Sequence, residues 1–351
     1  MQVCDERGKF LGAAFYSSAS QIAIRLISRE VFTDFNGLLR ERIRAAVAYR
    51  ERVVHDTDAY RVVFSEADFL PGLIVDRYND LLSFQVLTQA TDAEPVRETV
   101  LSELTEQLHP VAIAERVEPK IRELEQLPAR RSGLVQGDKS GTVFSMNGVR
   151  FHYDVKEGQK TGAFLDQREN YAAAAQYARG DALDVFCYHG GFALHLAKAG
   201  CKVAGVDSSR PALEVADRNA ALNGREIEWI EGNAFDVLRD YQKSGQHYDF
   251  VVLDPPAFAK SKRDLDTALR GYKELNLRAL KMLRRGGILV TCSCSYHVSV
   301  AEFLAVVAEA ARDAHREVRV LESRTQAKDH PILANVPETG YLKCLIVYVS
   351  N

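Results

Sequence analysis

From about residue 180 onward, short apolar runs alternate with longer amphipathic segments. ALDVFC, KVAGVD, IEWIEG, YDFVVLD and GILVTCSCS are the short runs; PALEVADRNAALN and RDLDTALRGYKELNLRALKMLRR lie between them. Runs that are apolar on both faces suit strands inside a parallel sheet, and the intervening helical period suits crossovers that cover it. The pattern predicts a doubly wound α/β domain. At the end of the chain, EVRVLESR and YLKCLIVYVS predict an antiparallel hairpin that closes the sheet.

The first half reads differently. GKFLGAAFY and QIAIRLIS are strand-like and separated by SSAS, and Tyr60 to Thr88 alternates Val, Phe, Leu and Ile between Pro-Gly and Asn-Asp breaks. Those breaks predict β-hairpins, as does Asn147-Gly148 inside TVFSMNGVRFHYDV. Helices are expected over Gly37 to Arg52 and over Glu94 to Leu108, with one short helix in the charged connector Glu115 to Gly133. The first of these carries Leu39, Ile43 and Val47 on one stripe and several arginines elsewhere. It reads first as a solvated surface and second as a phosphate-binding face.

Composition narrows the class. A hydrophobic content of 46% supports packed cores, and no apolar run is long enough to span a membrane. The charged start, MQVCDERGKF, lacks a signal-peptide core, so a cytoplasmic protein is expected. Six scattered cysteines then read as thiols. Cys292 and Cys294 lie on one face of their strand at a separation of about 6.5–7 Å, the far limit for a disulfide. No CxxC or His/Cys set completes a metal site. A net charge of −3 announces no nucleic acid, though local patches can still bind it.

Candidate chemistry gathers at the carboxyl ends of the expected strands, where open α/β sheets bind ligands. After the first strand, Gly190 and Gly191 permit a sharp turn and close approach of a ligand to the backbone. The second strand ends in Asp207, placed to accept hydrogen bonds from ribose hydroxyls. Together they point to an adenosine-containing ligand, against a plain glycine turn and a helix-capping aspartate. The fourth strand ends in Asp254-Pro255-Pro256, a stiff extended stop, and the fifth in Cys294.

DVFCYHGGF, VAGVDSS, LDPPAF and TCSCS, in this order, resemble class I S-adenosylmethionine-dependent methyltransferases. GQKTGAFLDQREN and GLIVDRYNDLLSFQ narrow the resemblance to large-subunit ribosomal RNA cytosine-C5 methyltransferases that carry a PUA domain. The resemblance covers nearly the whole chain but begins inside the PUA module. It implies a partial PUA-like segment over 1–30, a central α+β domain over 31–157 and a methyltransferase domain over 158–351 with a Rossmann-like sheet of seven mostly parallel strands.

Carried over by position, the resemblance implies that Asp184, Phe186, Tyr188, Gly190, Asp207, Ser208, Asn233, Ala234, Asp254 and Pro255 hold S-adenosylmethionine. Cys294 and Asp254 would be catalytic, and Gln167, Arg168, Phe258 and Lys260 would meet ribosomal RNA. No metal is implied, and a homodimer is left open. His189 stands where Thr is common and Asn233 where Asp is common; an Asn can still hydrogen-bond adenine.

The chemistry explains the cysteine. Cytosine C5 is too weak a nucleophile until a thiolate adds to C6, and such a thiol must be partly exposed beside the cofactor. Cys294 fits that place, and Cys292 reads as buried filler. Asp254 would hold the cytosine edge or help move the C5 proton. His297 is read as a surface or capping residue ahead of a base. Lys262 and Arg263 stand open between phosphate contacts and a solvated loop. The competing readings are methylation of another base such as guanine with Cys294 structural, a non-catalytic RNA-binding assembly factor, and a metabolite methyltransferase.

Overall fold

The structure, a computed structural model, describes residues 1–156, 162–259 and 261–350. The chain divides into two compact units. One comprises Met1–Gly148, His152–Leu165 and Lys328–Thr339; the other comprises Val149–Phe151, Asp166–Ala327 and Gly340–Asn351.

In the first unit, β1 (Gln2–Cys4), β2 (Phe10–Tyr16) and β3 (Ile24–Ser28) form an antiparallel sheet. α1 (Phe35–Val53) leads to β4 (Ala59–Phe64), β5 (Leu73–Tyr78) and β6 (Leu81–Val86). The short α2 (Gln89–Asp92), α3 (Glu94–Leu108), β7 (Ala112–Glu115), α4 (Pro119–Leu124) and β8 (Gly133–Gln136) follow. β4 to β8 pair in sequential order as a five-stranded sheet. One core unites Ile43 and Val47 of α1, Val100 and Leu104 of α3, and Val63, Val75 and Phe84 of the strands, and Ala13, Phe15 and Ile27 join it from the small sheet.

The arginine-rich α1 is neither a fully solvated face nor a bare cationic one. Arg40 and Arg44 bond the fully buried Glu103 of α3 at 2.9 and 2.7 Å, and Arg50 is itself 1% exposed. A buried carboxylate so far along the chain is invisible to a local reading.

β9 (Gly141–Met146) and β10 (Val149–Asp154) pair across Asn147-Gly148, both at positive φ, as the expected turn requires. α5 (Arg168–Ala175) opens the second unit's regular structure. Then β11 (Asp181–Val185), α6 (Gly191–Lys198), β12 (Lys202–Asp207), α7 (Arg210–Leu222), β13 (Glu228–Glu231), α8 (Ala234–Lys243) and β14 (Tyr248–Leu253) alternate strictly. α9 (Leu265–Met282), β15 (Leu283–Ser293), α10 (Val300–Asp313), β16 (Val318–Arg324) and β17 (Lys343–Val349) complete it.

The seven strands lie in the order β13-β12-β11-β14-β15-β17-β16. β17 alone runs against its neighbours. The order reverses between β11 and β14, the switch point where such sheets bind ligands. On one face, Leu183, Val185, Val251, Leu253 and Leu289 pack against Leu275 and Ala279 of α9 and Phe303 and Val307 of α10. α9 buries Ala268, Tyr272, Leu275, Ala279 and Met282, a single stripe at helical spacing.

One expected boundary moves. The helical pattern through MLRR predicts helix to about Arg285, yet α9 stops at Met282 and Leu283 is already extended, at φ −73° and ψ 134°. The sheet captures this stretch: Leu283 pairs with Tyr248, and a register irregularity before Ile288 takes up Gly286 at φ +79°.

Candidate active site

The ends of four strands, β11, β12, β14 and β15, and one preceding segment line the switch-point region. The register of β14 and β15 sets Val252 beside Val290 and Leu253 beside Thr291, so Asp254 leaves the sheet level with Cys292 and Cys294 emerges one step further on. Cys292 is fully buried and stands opposite Cys344 of β17, as core filler should. Burial pushes its thiol well above the ordinary range. Cys294, by contrast, is half-buried, and its Sγ lies 3.8 Å from the Pro255 carbonyl.

Asp254 is steered from upstream. Gln167 donates its amide to Asp254 Oδ1 at 2.9 Å, while its own Oε1 accepts from Asn170 at 2.7 Å. Gln167 and Arg168, expected to meet substrate, are 3% and 1% exposed, so the contact of Gln167 with Asp254 is internal. Phe258, expected to stack on a base, packs against Tyr272 at 4.8 Å and Phe235 at 6.2 Å. Lys260 lies outside the described residues, as do residues 157–161 within the upstream motif. Lys262 and Arg263 are exposed, in a turn boxed by Ser261 and Asp264. His297 is half-buried, edge-on to Tyr296, and caps no helix: Ser299 with Glu302 does that for α10.

On the other side of the switch point the β11–α6 turn is forced open. Phe186, Tyr188 and Gly190 all take positive φ, at 67°, 48° and 83°. The backbone N–H groups of Phe186 and Cys187 both donate to the Val206 carbonyl, which holds the turn against β12. A Cβ at Gly190 would come within 3.0 Å of Trp229. His189 stacks on Tyr188 at 3.7 Å, and burial lowers its imidazole to about 4, so it is neutral at physiological pH.

Asp184 sits beneath this turn, 1% exposed, with Oδ2 accepting from Ala193 N–H at 2.8 Å. Its Oδ1 has no hydrogen-bond partner among the described residues. Burial pushes this carboxyl up to about 8, against the pull of the Ala193 bond. Asp207 Oδ2 and Oδ1 accept from Tyr188 and Ser209 N–H, both at 2.9 Å, and each oxygen keeps a second lone pair for a ligand hydroxyl. Ser208 is exposed beside it. The exposed Asn233 caps α8 by accepting from Phe235 N–H at 2.9 Å, while Ala234 behind it and Pro255 are buried.

An orphaned buried carboxyl oxygen, a bared glycine turn and an acid at the next strand end fit the methionine and ribose ends of S-adenosylmethionine. Among the described residues no group of three or more His, Cys, Asp or Glu is arranged to hold a metal ion.

Some of the machinery has no local sequence signal. Ser293 Oγ donates to Tyr272 Oη at 3.0 Å, Tyr272 Oη lies 2.9 Å from Ser295 Oγ, and Ser295 Oγ accepts from Ala259 N–H at 3.1 Å. This relay fixes the backbone on both sides of Cys294. Lys343 is 6% exposed and donates Nζ to the Ser295 carbonyl at 2.6 Å and to that of Tyr341 at 2.8 Å. A lysine at the head of the otherwise apolar CLIVYV was the one visible hint.

Comparison with known proteins agrees with this architecture. A family model for S-adenosylmethionine-dependent methyltransferases matches residues 128–347, and a PUA-like domain model matches residues 1–29. A protein of Tolumonas auensis named ribosomal RNA large subunit methyltransferase I is 41% identical over 99% of this chain and 89% of its own length. Its namesake from Shewanella denitrificans is 41% identical over 97% and 88%. Among solved structures, one from Streptococcus mutans assigned to the SAM-dependent methyltransferases superposes with a TM-score of 0.85 at 18% identity, covering 99% of this chain and 90% of that one. A SAM-dependent methyltransferase from Agrobacterium tumefaciens superposes at 0.59, with 19% identity over 84% and 91%. The chain therefore belongs to the S-adenosylmethionine-dependent methyltransferases that carry an N-terminal PUA-like domain, the family of the proteins named ribosomal RNA large subunit methyltransferase I.

Proposed function

We propose that this chain methylates C5 of a cytosine in large-subunit ribosomal RNA, with Cys294 as the nucleophile. The observation that carries the reading is the half-exposed Cys294 at the end of β15, its sulfur 3.8 Å from the carbonyl of Pro255 and so next to Asp254. The names of the relatives support the RNA class.

S-adenosylmethionine supplies the electrophilic methyl group. Asp184, the turn from Phe186 to Gly190, Asp207 and Asn233 hold it, with Ser208, Ala234 and Pro255 lining the same strand ends. Cys294 sulfur bonds C6 of the base, which drives the C5–C6 electron pair onto C5 and makes that carbon the attacking atom. After methylation, loss of the C5 proton to a base lets the electron pair return and expels the thiolate. Gln167 holds the Asp254 carboxylate for the base's polar edge or for that proton. The target nucleotide is unstacked, because its C6 face must meet Cys294.

Nucleoside mass spectrometry of unmodified large-subunit rRNA, incubated with the protein and S-adenosylmethionine, tests the reading. New 5-methylcytidine from the wild type and none from Cys294→Ala, with cofactor binding retained, is the expected result. Methylation of another base, or undiminished turnover by the variant, would discard the Cys294 mechanism.

A further inference from the structure

Tyr272 of α9 is a buried phenol that no step of the mechanism above uses, 1% exposed beside the two loops that carry the chemistry. Its ring packs on Phe258 at 4.8 Å and edge-on to Phe303 at 5.3 Å. A phenylalanine would fill the same space, so packing gives no reason for the hydroxyl, which is costly to bury unless it is bonded. Here it is bonded twice. Ser293 Oγ donates to it at 3.0 Å and Ser295 Oγ lies at 2.9 Å, so one oxygen reaches the residues on either side of Cys294. Ser295 N–H donates to Ser293 Oγ at 3.3 Å and closes the ring. Alternate residues of an extended chain share a face, so two serines that face α9 turn the cysteine between them the other way.

Ser295 carries the tie further. Its Oγ accepts from Ala259 N–H at 3.1 Å, at the end of the loop that starts with Asp254 and Pro255. The Asp254 loop and the Cys294 loop therefore meet twice, at this bond and where Cys294 sulfur lies 3.8 Å from the Pro255 carbonyl. A Cβ at Gly271 would come within 3.3 Å of Phe258, so α9 also bears closely on the first of these loops. Ser293 and Ser295 are fully buried and Ala259 is 3% exposed, so water cannot replace a bond lost from the chain.

We propose that Tyr272 is a positioning residue for the methyl transfer. Through Ser293 and Ser295 its hydroxyl holds the Cys294 loop in register with the Asp254 loop, so that sulfur and carboxyl meet the same base. The proposal rests on Cys294 being the nucleophile. Tyr272 acts through the backbone and exchanges no proton with the substrate; burial raises its phenol, which stays protonated at working pH.

The test is Tyr272→Phe, which keeps the ring and removes the tie. It is assayed on unmodified large-subunit rRNA and on the same transcript carrying 5-fluorocytidine. On the fluorinated base Cys294 sulfur bonds C6 and C5 takes the methyl group of S-adenosylmethionine. C5 then holds fluorine where a proton would leave, so the covalent adduct persists and is measured on a denaturing gel. Tyr272→Phe should lower kcat and the rate of adduct formation together by about 10- to 100-fold, the scale set by a misplacement of about 1 Å. The KM for RNA and the affinity for S-adenosylmethionine should not change. Ser295→Ala should do the same, and the double variant should be no slower than the slower single one, because both break one tie. A merely structural tyrosine would lower Tm and leave kcat where it was. Adduct formation by Tyr272→Phe or Ser295→Ala within experimental error of the wild type's overturns the proposal, as does a double variant whose losses multiply. Cys294→Ala, run alongside, keeps the two ideas apart. If it still methylates RNA, the nucleophile reading falls and this proposal with it; if it is inactive while Tyr272→Phe is fully active, only this proposal falls.

Discussion

At the scale of single residues, the site is built from groups whose surroundings matter more than their identity. Asp184 is an ordinary aspartate in sequence, but the fold buries it until its carboxyl rises to about 8. A raised folded value means that the folded chain binds more protons than the unfolded chain between about pH 4 and 8. Its stabilising effect is complete below that window and is lost as pH rises through it. Melting curves of the cofactor-free protein should show wild-type Tm falling relative to Asp184→Asn between pH 5 and pH 8; parallel curves would mean the carboxyl is not held neutral. Gln167 offers a second check. Gln167→Leu removes the amide that orients Asp254 and leaves the Asn170 amide without one of its acceptors. It should lower kcat by about 10- to 100-fold, since a hydrogen bond to a charged group contributes about 1.5–3 kcal/mol, with cofactor affinity nearly unchanged by calorimetry. That Asp184, Asp207, Asp254 and Cys294 stand at or near strand ends was legible in the sequence, because strand ends are easy to locate. The enclosure of Gln167 and Arg168 was not, nor the packing of the half-buried Phe258 against Tyr272, since burial depends on neighbours contributed by distant segments.

Among the elements, the β11–α6 turn is where sequence and geometry agree most closely. The pair Gly190-Gly191 announces a tight turn, and Gly190 does adopt φ +83° at the start of α6. Phe186 and Tyr188 adopt positive φ without being glycine, which no residue rule anticipates; their N–H bonds to Val206 and Asp207 hold them there. Gly190→Ala should cost roughly 1–2 kcal/mol from the left-handed backbone alone, with the 3.0 Å approach to Trp229 added. Urea denaturation should reveal a lower midpoint, and calorimetry a weaker S-adenosylmethionine affinity. The misplaced end of α9 teaches the converse. Leu283-Arg284-Arg285 has respectable helix propensity, but pairing of Leu283 with Tyr248 overrides it.

For the whole molecule, the chain's path is less simple than its order of motifs. After the second unit is nearly complete, Lys328–Thr339 returns to the first. There Arg50 donates to the Asp329 carbonyl at 2.8 Å and pairs with Asp68, while the buried Asp329 carboxylate accepts from Arg61 N–H at 2.9 Å. Arg50→Met would strand Asp68 in a nearly closed site, and removing one partner of a buried pair typically costs about 3–5 kcal/mol. Denaturant unfolding should show a loss of that order, and a loss within experimental error would mean the pair is solvated. The sequence by itself determined the α/β class and where its strands end, because apolar periodicity and turn residues are local properties; the candidate nucleophile, Cys294, came from the family resemblance of its motifs. Only the tertiary structure decided which charges are buried, that Lys343 reaches the backbone beside Cys294, and that the late segment at Lys328 joins the first unit. Each of those depends on which distant residues the fold sets side by side, and local pattern carries no record of that.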